Sequence, residues 1–255
     1  MPDTWGRERL EGRVAVVTGG HAGIGYYVTR ALVEQGVRVA ILGRRETRLS
    51  EAARRLEGEV LPVTCDISDP ESVRRAFAAV DDGFGSLDIL INNAAVFPIF
   101  KVGDATDAEL RDAVGTNVLG VLHCTREAIV RMRAAGGGDI LSFSSESVHR
   151  PFPYLATYAA TKSAVETLSR GLKNELRPFG IRVGVLRSGH VEVPDREASS
   201  WDPERAQAFF AEAQAGGYLA ESGPGIRPET TAEAVVHMLT RPDEAVVDVL
   251  ELRGR

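Results

Sequence analysis

Lysine is scarce in this chain, with three against 27 arginines. Cysteine is scarcer still. The two present, Cys65 and Cys124, have neither CxxC nor metal-ligand spacing. That excludes a zinc module or a disulfide framework, leaves two small buried apolar residues as the reading, and predicts no bound metal. No apolar run approaches the ~20 residues that a bilayer-spanning helix needs, so no membrane partner is expected. The opening stretch MPDTWGRERLEGR is polar and lacks an apolar centre, which argues against a signal peptide. Positive charge is also short overall. A net charge of −6 repels phosphate backbones and argues against nucleic acid as a partner. Internal repeats, linkers and low-complexity tracts are missing too. A reduced, cytoplasmic protein is the expectation.

What is present is material for a core. Of 255 residues, 44% are hydrophobic and 26% charged, which suits one α/β domain spanning 1–255. Short β-rich runs alternate with helical patterns throughout. RVAVVT (13–18), VRVAIL (37–42), EVLPVT (59–64), LDILIN (87–92), DILSFS (139–144), IRVGVL (181–186) and VVDVLEL (246–252) read as strands. Several are apolar almost throughout, as in sheets covered by helices on both faces. Ile24, Val28, Ala31 and Leu32 share one helix face, and Gly36 ends that helix. Asp69 and Pro70 open another helix as N-cap and first residue. The alternation predicts a doubly wound parallel sheet of about seven strands. Residues 190–226 break the rhythm and form a candidate lid between strands six and seven. Within it, Asp202 and Pro203 mark a helix start and Gly216 a stop. Thr230 and Glu233 have the spacing of a capping box for the last helix.

Two motifs carry chemistry. TGGHAGIG (18–25) follows the first strand and opens the first helix, with Gly19, Gly23 and Gly25 in GxxxGxG spacing. Glycines there let the backbone turn tightly and approach a pyrophosphate at a helix N-terminus. No GK[ST] follows, so it is not a Walker loop. The second strand ends ILGRR, with Gly43 where NAD-preferring folds place an acid and Arg44 and Arg45 after it. A guanidinium matches a ribose 2′-phosphate, which favours NADP(H). The alternative is two solvated arginines at a helix start. The second motif, YAATK (158–162), spends one of the three lysines four residues after a tyrosine. On a helix Lys162 would share a face with Tyr158, and an ammonium near a phenol favours the phenolate. Standing alone, the pair would read as two surface residues.

Together these motifs resemble the short-chain dehydrogenase/reductase family over nearly the whole chain. TGGHAGIG matches its TGxxxGxG loop and NNAAV its NNAG motif. Asn117 in GTNVLG, Ser145 in ILSFSS, Tyr158 and Lys162 fall at the spacings of its catalytic tetrad. The resemblance implies a Rossmann-type fold and an NADPH-dependent interconversion of a ketone and a secondary alcohol. Tyr158 would act as acid/base and Ser145 would orient the substrate oxygen. Lys162 would hold the nicotinamide ribose while lowering the tyrosine pKa, and Asn117 would anchor a water in the proton relay. It implies that Asp66 contacts the adenine and that Asn93 steadies the loop. It extends the cofactor contacts to His21, Ile24, Ile67, Ala94, Ala95, Ser188, Gly189 and Val191. Three departures are visible: Ala95 for the last glycine of NNAG, Ser188 and Val193 for the proline and threonine of PGxxxT, and a C-terminus without the glycine-rich ending of tetrameric relatives. A homodimer or homotetramer is expected, the dimer with better support.

The expected substrate contacts are Ser145, Val96, Phe97, His149, Phe152, Tyr158 and Phe209. The lid aromatics Trp201, Phe209, Phe210 and Tyr218 would face a rim of Phe97, Pro98, Phe100 and Phe152. Such walls suit a medium-sized, largely apolar substrate. Neighbouring helix positions diverge, so one of Phe209 and Phe210 is expected to be structural. His149 and His190 have exposed-loop readings as alternatives. Two other functions compete: a catalytically silent NAD(P)-binding sensor or interaction module, and a sugar-nucleotide epimerase or dehydratase. The epimerase needs a different glycine spacing and a longer C-terminal domain.

Overall fold

Strand β1 (Val14–Thr18) is buried along its whole length, as a strand covered on both faces must be. Its side chains alternate between two cores. Ala15 and Val17 join Val28, Leu32, Leu49 and Val235 on one face. Val14 and Val16 join Phe77, Met132 and Leu176 on the other. This architecture comes from a computed structural model that describes residues 9–193, 201–218, 220, 223–242 and 244–255.

The remaining strands are β2 (Arg38–Gly43), β3 (Val60–Thr64), β4 (Ile89–Asn92), β5 (Gly138–Ser145), β6 (Ile181–Ser188) and β7 (Val249–Leu252). They form one sheet in the order β3-β2-β1-β4-β5-β6-β7, and every pair is parallel. Pro62 is accommodated because β3 is an edge strand. The last strand starts at Val249 rather than Val246, since only four of its residues pair with β6. Strands β5 and β6 run longer than their apolar cores and end in register at Ser145 and Ser188.

The helices are α1 (Gly23–Glu34), α2 (Glu46–Arg55), α3 (Pro70–Phe84), α4 (Asp107–Val114), α5 (Val121–Ala135), α6 (Ala156–Leu176), α7 (Pro203–Ala215) and α8 (Pro228–Leu239). Helix α3 starts as its sequence dictates, with the Asp69 side chain accepting from the Glu71 N–H at 2.9 Å. In α7 the Asp202 carboxylate accepts from the Arg205 N–H, and Gly216 follows the last turn. Helix α8 corrects the expectation of a capping box at Thr230 and Glu233. Pro228, with φ preset for the first helical position, starts the helix two residues earlier behind Arg227. Thr230 therefore lies inside the first turn, where its N–H already donates to the Arg227 carbonyl.

Strand order reverses between β1 and β4. In open parallel sheets ligands bind in the crevice beyond the carboxyl ends of the strands at such a switch point. Here that crevice is a cavity of about 790 Å³.

Candidate active site

The cavity begins at the glycine loop. Gly19 (φ +69°) and Gly23 (φ +56°) adopt the left-handed conformation that other residues resist. Gly23 stands on the cavity wall, and a Cβ there would meet nothing within 4 Å. Helix α1 starts at this point with no side-chain cap and no acidic residue in its first turn, so its N–H groups suit an anion. Gly25, expected among the cofactor contacts, is off the wall. A Cβ on it would lie 2.3 Å from the Gly19 carbonyl oxygen, so it serves the close packing of helix on loop. Asn93 steadies the loop by donating to the Thr18 carbonyl at 2.9 Å. The Thr18 hydroxyl in turn accepts from the Asn93 and Ala94 N–H groups, both at 3.0 Å.

At the end of β2 the missing acid has a steric reason. A Cβ on Gly43 would fall 2.8 Å from the His21 ring, so that position is filled by the loop itself. Arg44 is exposed on the cavity wall. Arg45 precedes α2 as its N-cap residue and is off the wall, because the chain has already turned into the helix. Asp66 and Ile67 line the same end, with the Asp66 carboxylate accepting from the Ser68 N–H and hydroxyl. Ala94, Ala95, Ser188, Gly189 and Val191 also line the cavity.

Tyr158 and Lys162 sit one turn apart on α6, and both are buried. The Lys162 ammonium lies 5.8 Å from the Tyr158 ring centroid and donates to the Phe143 carbonyl at 2.9 Å. Phe97 meets the Tyr158 ring edge-to-face, with centroids 4.5 Å apart. Ser145 ends β5, and its hydroxyl oxygen accepts from the Ser147 N–H (3.2 Å) and hydroxyl (3.0 Å). Those bonds leave the Ser145 hydrogen to donate into the cavity. Asn117 lies in a π-helical turn, Gly115–Gly120, between α4 and α5. Its side chain accepts from the Val96 N–H and donates to the Val96 carbonyl and the Thr161 hydroxyl. Both amide hydrogens are thereby committed to bracing the wall.

At the far end Val96, Phe97, Phe152, Trp201, Phe209 and Phe210 line the cavity. Three rim expectations are corrected. Phe100 is buried in the body of the protein, Pro98 is off the wall, and Tyr218 packs on Phe152 outside the cavity at 5.1 Å. His149 is exposed and off the wall, because the short turn after Ser145 carries it outward. Phe209 and Phe210 both reach the cavity, contrary to the expected division. Phe209 is buried against Ile99 and Leu155 while Phe210 is half-exposed, so the two differ in burial although both line the cavity. Sequence reasoning missed Thr116, Ser144, Glu146, Ser147 and Leu155 as lining residues. It also missed Glu166 and Arg187, which pair beneath the wall. Two signals were available: Glu166 is four residues beyond Lys162, and Arg187 interrupts an apolar strand.

Two residues from the ends of the segment between β6 and α8 pair with each other. Val191 and Ile226 form a parallel bridge, with the Ile226 N–H donating to the His190 carbonyl and the Glu192 N–H to the Ile226 carbonyl. Residues 194–200 of the expected lid, with 219, 221 and 222, lie outside the described residues.

Residues 13–204 match the family model described as short chain dehydrogenase. The chain belongs to the short-chain dehydrogenase family. Human dehydrogenase/reductase SDR family member 11 is 33% identical, over 97% of this chain and 96% of that one. L-sorbose reductase from Gluconobacter frateurii, solved with NADPH and L-sorbose, superposes with a TM-score of 0.84 at 27% identity, covering 96% of each chain. The 3-ketoacyl-(acyl-carrier-protein) reductase from Brucella melitensis, solved with NADH, gives 0.82 at 29% identity, covering 96% of this chain and 98% of that one.

In this short-chain dehydrogenase, burial pushes the Lys162 ammonium down to about 8 from its ordinary value of 10.5. Burial likewise pushes the Cys65 thiol on the cavity wall up to about 11, which keeps it protonated and inert at neutral pH. For Lys162 the linkage has a definite sign. Below pH 8 both folded and unfolded chains hold the proton, and the folded state carries the full desolvation cost. Between about 8 and 10.5 the unfolded chain binds more protons, so this group's contribution to stability rises with pH. Lys162→Met should therefore be more stable than wild type at pH 7, by at most about 3 kcal/mol, with the advantage fading toward pH 10. Urea unfolding across that range tests this; a variant less stable at pH 7 than at pH 10, relative to wild type, contradicts it.

Proposed function

We propose that this oxidoreductase is NADP(H)-dependent and interconverts a ketone and a secondary alcohol. The observation that carries the reading is that Ser145, Tyr158 and Lys162 share one cavity wall with the glycine loop. The cradle fits a dinucleotide: Gly23 leaves open space where a side chain would stand, and α1 has no acid at its start. Gly19, Gly23 and the first turn of α1 would hold the pyrophosphate. Asp66 and Ile67 would flank the adenine, and Arg44 would pair with the 2′-phosphate. Lys162 would hold the nicotinamide ribose, with Ser188, Gly189 and Val191 beside the ring. When bound, the dinucleotide supplies or accepts the hydride.

The chain's own work is proton and charge handling. Tyr158 donates its phenolic proton to the carbonyl oxygen in reduction and takes it back from the alcohol in oxidation. The Lys162 ammonium favours the phenolate that each cycle forms. Ser145 donates to the same oxygen as negative charge develops there. Asn117 braces Val96 and Thr161 with its side chain, so any relay water it anchors would have to bond its backbone carbonyl. Phe97, Phe152, Trp201, Phe209 and Phe210 support a medium-sized, largely apolar substrate. Among the described residues no helix is long and apolar enough to cross a membrane. The exposed apolar side chains Val114, Leu119, Leu122 and Val130 support a homo-oligomer.

A panel of ketones and alcohols, followed by nicotinamide absorbance with each cofactor, should show turnover with NADPH. Tyr158→Phe should lower kcat at least a thousandfold while NADPH binding stays within threefold; turnover within tenfold of wild type refutes the acid/base role. A wild type silent on the whole panel would favour the sensor reading.

Cofactor choice is tested separately. Arg44→Ala should raise the KM for NADPH roughly tenfold and leave that for NADH nearly unchanged, since only the 2′-phosphate loses its partner. Equal or better use of NADH by wild type overturns the NADP(H) assignment.

A further inference from the structure

Tyr158, Lys162 and Glu166 recur at every fourth position and so share one face of α6. That face grips β5 twice in succession. Lys162 donates to the Phe143 carbonyl at 2.9 Å, and one turn later Glu166 accepts from the Ser144 hydroxyl at 2.6 Å. The next strand residue is Ser145. Strand β6 supplies the counter-ion. Arg187 places Nε 2.9 Å from Glu166 Oε1 and Nη2 2.7 Å from Oε2, a two-point fork. Its remaining nitrogen, Nη1, reaches Glu251 on β7 at 2.9 Å. Glu166 and Arg187 are only 7% and 9% exposed. Burial pushes the Glu166 carboxyl up, but the Arg187 fork and the Ser144 hydroxyl outweigh it and hold it below its ordinary value.

A pair this dry is a poor device for stability, because desolvation consumes most of the attraction and apolar replacements of similar volume usually do as well. What apolar residues cannot do is fix a distance. Arg187 directly precedes Ser188, whose register partner is Ser145. The fork thus joins the last residues of β5 and β6 to the helix that carries Tyr158.

We propose that Glu166 and Arg187 are positioning residues, an ion-pair clamp that acts through Ser144 to hold the Ser145 hydroxyl at its working separation from Tyr158. This rests on the ketone–alcohol reading for its kinetic arm alone.

The test uses Glu166→Leu/Arg187→Met, which removes both charges together, beside Ser144→Ala, which removes only the strand tie. Both should bind NADPH within threefold of wild type, and the double variant should unfold at a similar temperature. The double variant should lose at least 30-fold in kcat with KM within threefold, and Ser144→Ala about fivefold. The kinetic isotope effect with 4-deuterated NADPH should rise, because a misplaced oxygen slows hydride transfer itself. Independently of turnover, hydrogen exchange of the 144–148 amides should quicken at least tenfold while exchange elsewhere is unchanged. A kcat within threefold of wild type, or exchange that is unchanged or raised uniformly, overturns the proposal. If wild type reduces no ketone, the reaction assignment fails, and the exchange arm still decides the clamp. If the double variant does not fold, Ser144→Ala decides it alone.

Discussion

A cation kept out of water is the constraint on which the rest of this site depends. Lys162 lies 4% exposed, and its ammonium is held by one strand carbonyl, that of Phe143. A compact ammonium on a flexible stem fits such a place, whereas a planar guanidinium brings five donors that one carbonyl cannot satisfy. That is a physical reason for a lysine in a chain of 27 arginines. The bond requires β5 to end beside α6, and that requirement brings Ser145 to the wall that carries Tyr158. Burial lowers the proton affinity of Lys162, so the same constraint makes the group costly to fold around and responsive near neutral pH.

The remainder of the cavity is built by backbone packing at the switch point of the sheet. Gly25 and Gly43 matter for what cannot stand at those positions: the Gly19 carbonyl and the His21 ring already occupy the space. Thr18 and Asn93 tie the ends of β1 and β4 to each other through side-chain bonds to backbone. Asn117 does the same for Val96 from a π turn, which fits the tendency of such turns to occur at functional places. Polar groups are thereby spent on holding loops, and few side chains on the cavity wall stand on strands and helices with polar atoms to spare.

Helix α7 is held differently, by contacts at its periphery. The Trp201 indole donates to the Phe97 carbonyl at 2.9 Å, Lys101 pairs with Glu212 at 2.6 Å, and Arg205 pairs with Glu109. The first pair is solvent-exposed and the second half-exposed, and ion pairs in such places contribute little each. The aromatic cluster of Phe97, Trp201 and Phe209 therefore carries more of the docking. Phe97 belongs to this cluster and also touches Tyr158, so α7 and the Tyr158 ring share a neighbour.

Read as a sequence, the chain disclosed its order of elements, its parallel sheet, the glycine loop, and the Ser145, Tyr158 and Lys162 that the fold brings to one cavity wall. These follow from local rules: period-two and period-four spacing, Asp–Pro helix starts, and a lysine one turn after a tyrosine. Where local rules competed, they failed by a residue or two, as when Pro228 started α8 ahead of the Thr230–Glu233 pattern. Tertiary structure alone decided what lies against what. It carried His149 outward and Glu146 onto the wall, brought both Phe209 and Phe210 to the cavity, and set Arg187 against Glu166 across 21 residues. Spacing along a chain reports which face of an element a residue occupies. The packing of elements determines what that face meets, because distance in a fold depends on contacts between segments that no local pattern encodes.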